Sequence, residues 1–140
     1  MRRRHRPEAC GEALTARDVL IESFRARERT ALADLVAIAG GQSLCSLSRD
    51  GATVPAAKYH EGAVAALGEA RRAVEAVVDG PDGEHAASAA LLDVRARWRA
   101  QSRSIGRTGP SWTGYLTGGL DALQQMIDHD GGIDALDAQN

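Results

Sequence analysis

The chain has 140 residues and a formal net charge of -2, a length typical of one domain. Leu, Ile, Val and Phe together supply only 27 residues, and alanine supplies much of the remaining apolar content. The near-neutral charge excludes the strong self-repulsion of a disordered chain, so we expect a folded domain with a thin core. Small alanine faces remove little area from water, which favours self-association as a source of additional stability.

The composition of the ends differs from that of the middle. Four arginines lie between residues 2 and 6, whereas five aspartates and no Lys or Arg lie between residues 121 and 140. We therefore predict a mobile basic arm over residues 1–12, a helical domain over residues 13–130 and an acidic tail over residues 131–140.

Cysteine usage and hydropathy predict a cytoplasmic protein. Cys10 and Cys45 form no CxxC pair, which favours a reducing compartment. The arginines near the start are not followed by an apolar stretch of the kind that a signal peptide needs. No run approaches the roughly 18 apolar residues of a membrane span, so we expect no membrane association.

The first predicted helix begins after Thr15 and ends at Gly40-Gly41. Thr15 and Asp18 have the spacing of a capping box, and a glycine pair is a common helix end. The apolar residues that recur at spacings of three and four residues are Leu20 or Ile21, Phe24, Leu32, Leu35 and Ile38. Residues 42–54 follow, and their pattern is compatible with either a short β-hairpin or a plain loop.

Two further helices are predicted from the same periodicity. The second begins near Pro55 and ends at Asp79-Gly80-Pro81, and the third runs from about Glu84 to Ile105. The apolar stripe of the second helix contains Ala63, Leu67, Ala70, Val74 and Val77. The apolar stripe of the third contains Ala87, Leu91, Val94, Trp98 and Ile105.

A fourth helix is predicted after the loop of residues 106–110, with Ser111 as its cap. Its apolar residues are Trp112, Leu116, Leu123 and Met126. Gly114, Gly118 and Gly119 weaken it by about 1 kcal/mol each relative to alanine. We expect either a break at these glycines or the close approach of another backbone. The predicted fold class is therefore all-α, a four-helix bundle-like domain.

The densest charge cluster lies on the third helix and its following loop. No acidic residue occurs between residues 94 and 108. Such a cluster is either the solvated side of a helix or a site for anions or nucleic acid, to which the basic arm could add contacts. Residues four positions apart are offset by roughly 40° around the axis of a helix. The row of arginines therefore forms a spiral rather than one flat face. The candidate contact residues are Arg95, Arg97, Arg99, Arg103 and Arg107.

Motifs for catalysis or metal binding are missing from the sequence. There is no HExxH, no phosphate-binding loop and no GxSxG. We therefore expect no metal site and no cofactor, and no residue pattern predicts an enzymatic activity.

The tripeptide Trp112-Thr113-Gly114 resembles the Trp-x-Gly turn of the small secreted helical-hairpin proteins exported by type VII systems. That resemblance implies a turn between two helices and a secreted protein. The Tyr-x-x-x-acid export signal of that family is absent, because Gly119 stands four residues after Tyr115.

The sequence thus supports three interpretations of function. The first is a small cytoplasmic interaction or regulatory module that self-associates or binds a protein partner. The second is a nucleic-acid-binding protein that uses the arginines of the third helix, and the third is a secreted Trp-x-Gly protein.

Overall fold

A computed structural model describes residues 15–40, 54–78, 80–104 and 109–129. These residues form four helices: α1 (Ala16–Ala39), α2 (Val54–Glu75), α3 (Gly83–Ser102) and α4 (Pro110–His129). No strand occurs in these ranges, so the prediction of an all-α, bundle-like domain is confirmed. The predicted basic arm, the hairpin or loop before α2 and the acidic tail lie outside the described residues.

Both ends of α1 follow the local signals in the sequence. The Thr15 hydroxyl accepts a hydrogen bond from the Asp18 amide at 3.1 Å, and the Thr15 amide donates to the Asp18 carboxylate at 3.3 Å. This reciprocal pair is the predicted capping box. Gly40 adopts a left-handed conformation with φ of 58°, which glycine reaches without a Cβ penalty, and it ends the helix.

The end of α2 differs from the prediction. The helix ends at Glu75 rather than at Asp79-Gly80, and Val77 lies beyond it. The Arg17 guanidinium of α1 donates to the backbone carbonyls of Val74 at 3.2 Å and Glu75 at 2.7 Å. A cation bound to the last carbonyls of a helix satisfies acceptors that have no partner within the helix. Sequence spacing within α2 could not reveal a capping residue that comes from α1.

The start of α4 also differs from the prediction. Pro110 is the first helical residue, and Ser111 lies in the first turn rather than at the cap. Gly109 precedes the helix with φ of 123°, and its carbonyl accepts a hydrogen bond from the Thr113 amide at 3.0 Å. Proline suits the first helical position because its missing N–H would have no partner there.

A close crossing of α2 and α4 accounts for glycines on both helices. A Cβ added to Gly62 would overlap the carbonyl oxygen of Tyr115, and one added to Gly118 would overlap that of Tyr59. A Cβ on Gly119 would overlap the ring of Trp98. The helix α4 is continuous across these glycines. Of the two expectations for Gly118 and Gly119, close packing is therefore correct and a helix break is wrong.

Three helix pairs are antiparallel, including α2 and α4, in which Gly62 meets Tyr115 and Gly118 meets Tyr59. Arg17 near the start of α1 binds the end of α2, so these two helices are antiparallel. Arg95 contacts Gln124 whereas Trp98 meets Gly119, so α3 and α4 are antiparallel as well. The helix α2 packs against all three others, whereas α1 and α4 make almost no direct contact. The bundle is therefore built around α2 and is open between α1 and α4.

The core is contiguous and contains most of the predicted apolar stripes. Phe24, Leu67 and Trp98 are buried, and the described part of each predicted stripe on α2 and α3 is buried except Val77. The second half of α1 departs from the prediction. Leu32 is 51% exposed, and Ala31 is buried in its place. The face that α1 turns toward α2 is therefore rotated by about one residue from the expected stripe.

Candidate functional site

Arg95, the first member of the predicted basic cluster, is buried. Only 7% of its surface is exposed, and its guanidinium donates a hydrogen bond to the Gln124 amide oxygen at 3.0 Å. The Gln124 amide nitrogen in turn donates to the Asp128 carboxylate at 2.9 Å. Arg95 therefore joins α3 to α4 through a polar network. Its burial follows from its position beside the apolar stripe of α3.

Arg97 lies on the other side of α3 and contacts α2. Its guanidinium is 3.3 Å from the Glu69 carboxylate and 3.8 Å from that of Asp93. Glu69 also accepts a hydrogen bond from the indole N–H of Trp98 at 2.9 Å. The Glu69 carboxylate of α2 thus contacts two successive residues of α3. Arg97 therefore has acidic partners in the folded protein.

The remaining described arginines of the cluster, Arg99 and Arg103, are exposed at the end of α3. Neither has an ion pair with another described residue, and Arg107 lies outside the described part of the chain. The structure therefore divides the cluster: one arginine faces α4, one pairs with α2, and two face solvent. The described members do not converge on a common concavity.

The Trp-x-Gly tripeptide lies within the first turns of α4 and forms no turn between helices. The expectation of a turn at this tripeptide, which the resemblance implied, is therefore wrong. Its tryptophan belongs to a ladder of three rings, in which Tyr115 stacks on Trp112 at 5.5 Å and on Trp98 at 5.4 Å between centroids. Burial raises the pKa of Tyr115, and the nearby carboxylates of Glu61 and Glu69 raise it further. This ladder holds the start of α4 against α3.

Tyr59 of α2 contacts α4 at a second point. Its hydroxyl donates a hydrogen bond of 2.7 Å to the Asp121 carboxylate. This hydrogen bond, together with burial and the charge of Asp121, raises the pKa of Tyr59 to about 12. The ring of His60 packs edge-on against the Tyr59 ring at 5.4 Å between centroids. Both aromatic residues line the opening between α1 and α4.

The opening between α1 and α4 forms a cleft of about 240 Å³. Its apolar lining consists mostly of small residues and comes from all three helices around it: Ala31, Ala63, Leu67, Gly118 and Ala122. Its polar lining includes Arg27, Thr30 and Asp34 of α1, Tyr59 and His60 of α2, and Gln125 of α4. The cleft is not recognisable in the sequence, because its residues come from three separate segments with no shared motif.

The second half of α1 presents an exposed apolar surface. Between Ala31 and Ala39 the only charged residue is Asp34. Leu32 is 51% exposed and Val36 is 59% exposed. Leu32 and Val64 of α2 also line a groove whose other lining side chains are charged. We define the apolar surface of α1 as Leu32 and Val36.

Comparisons with known proteins add no functional information, since no family model, no curated protein and no solved structure matches this chain. None of the helices in the described ranges has both the length and the apolar character needed to cross a membrane. Within the same ranges, no group of three or more His, Cys, Asp or Glu side chains is arranged to hold a metal ion.

Proposed function

We propose that this protein is a small cytoplasmic interaction module that associates with a second copy of itself. The observation that carries the proposal is the exposed apolar surface of α1. A helix that is apolar on nearly all sides, as α1 is between residues 31 and 39, is normally buried on all sides. In the described part of the chain, Leu32 and Val36 remain more than half exposed.

A second copy suits this surface by symmetry. In an antiparallel pair of α1 helices with a two-fold axis near Asp34, Leu32 of one copy faces Val36 of the other. The contact is self-complementary, as a two-fold interface requires. The positive charge of Arg29 lies well away from its symmetry mate in that arrangement, and the net charge of -2 gives little repulsion between copies.

The size of the surface sets the expected strength of the association. Complete burial of a Leu or Val side chain contributes about 1.5 to 3 kcal/mol, and roughly half of each side chain is already covered. Two such side chains make a much smaller patch than the roughly 800 Å² per partner of a standard interface. We therefore propose a weak, concentration-dependent dimer rather than a permanent one.

The test is sedimentation equilibrium over a concentration series that extends into the millimolar range. We expect the average mass to rise from 14.8 kDa toward twice that value as the concentration increases. A protein that stays monomeric at the highest concentration contradicts the proposal.

Nucleic-acid binding is the alternative proposal, and the exposure of Arg99 and Arg103 favours it. The burial of Arg95 and the ion pairs of Arg97 reduce the number of cations that could reach phosphates. Binding of a labelled duplex that weakens steeply with added salt would support this alternative. Absence of binding at low salt would exclude it.

A further inference from the structure

The cleft between α1 and α4 exists because small side chains form its floor. Ala63 of α2 and Gly118 and Ala122 of α4 line it, and none of them projects far enough to fill the space up to α1. A hydrogen bond joins the two walls, in which Arg27 donates to the Gln125 amide oxygen at 3.3 Å. The cleft therefore has an apolar floor, and one end of it carries a cationic side chain.

Arg27 differs from the other partly buried arginines of the α1–α2 pair. Arg71 binds the Glu28 and Glu75 carboxylates at 2.6 and 2.9 Å, and Arg17 binds two backbone carbonyls. Within the described ranges, the hydrogen-bond partner of Arg27 is the neutral amide of Gln125, and no described residue forms an ion pair with it. A guanidinium presents five donors in a fixed fork that matches a carboxylate, and one long hydrogen bond uses only a fraction of them.

The other end of the cleft carries a negative charge. Asp34 follows Arg27 by seven residues, so the two side chains lie on the same face of α1, about 10 Å apart along its axis. Both line the cleft, with Ala31 between them. Asp34 is exposed and has no ion pair with a described residue. An anion bound at Arg27 therefore meets the apolar section at Ala31 and then the Asp34 carboxylate, which repels a second negative charge. Tyr59 and His60 also line this cleft.

We infer that this cleft binds a small monocarboxylic acid with an apolar chain of a few carbons. The carboxylate binds the Arg27 guanidinium, and the Gln125 amide nitrogen serves as a second donor. The chain lies over Ala31, Ala63 and Leu67. The volume of about 240 Å³ is smaller than the roughly 300 to 1,000 Å³ of pockets for drug-sized ligands, so it limits the ligand to a short acid. Asp34 selects against dicarboxylic acids of the same length.

The test uses two acids of equal chain length, hexanoate and adipate, with hexanamide as an uncharged analogue. Binding is followed by amide chemical shifts in an NMR titration of the full chain into the millimolar range. We expect saturable shifts around the cleft with hexanoate. Adipate and hexanamide should each bind about tenfold more weakly or worse, because one acquires a repulsive charge and the other loses a charge-assisted hydrogen bond.

Three variants assign the effect to the side chains. Arg27→Gln should weaken hexanoate binding by about tenfold or more, since the loss of the charge leaves only neutral donors. Arg29→Gln is the matched control, because Arg29 is on the same helix but exposed and outside the cleft, and it should leave the affinity unchanged. Asp34→Asn should strengthen adipate binding relative to hexanoate.

Three results would each contradict the proposed binding of a monocarboxylic acid. Absence of saturable shifts with hexanoate, equal affinity of the wild type and Arg27→Gln, or equal affinity for hexanoate and adipate would overturn the inference. The amide spectrum of Arg27→Gln without ligand establishes whether that variant is folded. If that variant is unfolded, the comparison of hexanoate with hexanamide on the wild-type protein decides whether a cationic side chain binds the carboxylate. The oligomeric state is measured separately, so this result does not depend on the proposed self-association.

Discussion

At the scale of single residues, the arginines of α3 show how burial separates side chains of one type. Arg95 is nearly inaccessible and bonded to Gln124, whereas Arg99 on the next turn is exposed. Replacing Arg95 by alanine removes buried packing and leaves the Gln124 oxygen without this donor. We expect a loss of about 1 to 3 kcal/mol in the free energy of unfolding, measured by urea denaturation.

Arg99→Ala is the control for this prediction. Because Arg99 is exposed and has no ion pair with a described residue, its replacement should change stability by less than about 0.5 kcal/mol. Equal effects of the two substitutions would mean that Arg95 does not hold α3 against α4.

The Tyr59–Asp121 hydrogen bond makes a second prediction at the residue scale. A pKa raised to about 12 means that the folded state favours the protonated phenol. The associated stability is therefore fully present below the usual tyrosine pKa of about 10 and is lost as the pH rises through the raised value. Alkaline titration of tyrosinate absorbance should occur at higher pH in the folded protein than in denaturant.

The Asp121→Asn variant tests the cause of this shift. The substitution removes the negative charge but leaves an acceptor oxygen, so the Tyr59 titration should move back toward the usual range. Tyr115, the only other tyrosine, also has a raised pKa but owes it first to burial, and its titration should stay where it is. An unchanged titration curve in Asp121→Asn would argue against the charged Asp121 carboxylate as the cause.

At the scale of helices, the crossing of α2 and α4 depends on the absence of side chains. In Gly62→Ala the new Cβ would overlap a backbone carbonyl of α4, which cannot move unless the whole helix shifts. Overpacking of this kind costs about 1 to 3 kcal/mol, which exceeds the gain of up to about 1 kcal/mol from helix propensity. We therefore expect Gly62→Ala to lower the midpoint of thermal unfolding.

Gly68 provides a matched control in the same helix. A Cβ at this position would meet the Arg72 guanidinium at 3.2 Å, which is the flexible end of a side chain. Gly68→Ala should therefore be neutral or stabilising, because the propensity gain is not offset by a backbone clash. If both substitutions had the same effect, close packing at the crossing would not be the reason for Gly62.

At the scale of the whole molecule, the apolar surface of α1 determines the proposed association. Leu32→Gln and Val36→Gln change side chains that are more than half exposed, so the fold should tolerate them. Each should shift the monomer–dimer equilibrium in sedimentation toward the monomer by about tenfold, the equivalent of roughly 1.4 kcal/mol.

Val19→Gln is the control for association, because Val19 is 50% exposed on the same helix but lies at its opposite end. It should leave the equilibrium unchanged. A dimer that all three variants weaken equally would not use the proposed surface, and a dimer that none of them weakens would not use it either.

The local part of the fold could be predicted from the sequence with good detail. The capping box at Thr15, the glycine end at Gly40 and the buried stripe through Leu91 and Trp98 agree with the structure. Each of these features is marked by residues three or four positions apart, and such spacings can be recognised in the sequence. The errors at the end of α2 and the exposure of Leu32 arise where another helix decides the outcome.

The candidate sites were much less predictable. The sequence by itself determined four helices, their periodic apolar faces and a spiral of arginines on α3, because periodicity and capping are local properties. Only the tertiary structure decided that Arg95 is buried against α4, that Gly62 and Gly118 bring two helices into contact, and that Arg27 lines an open cleft. The reason is that these outcomes depend on the rotation and relative position of whole helices, which packing across the core fixes and spacing along the chain does not encode.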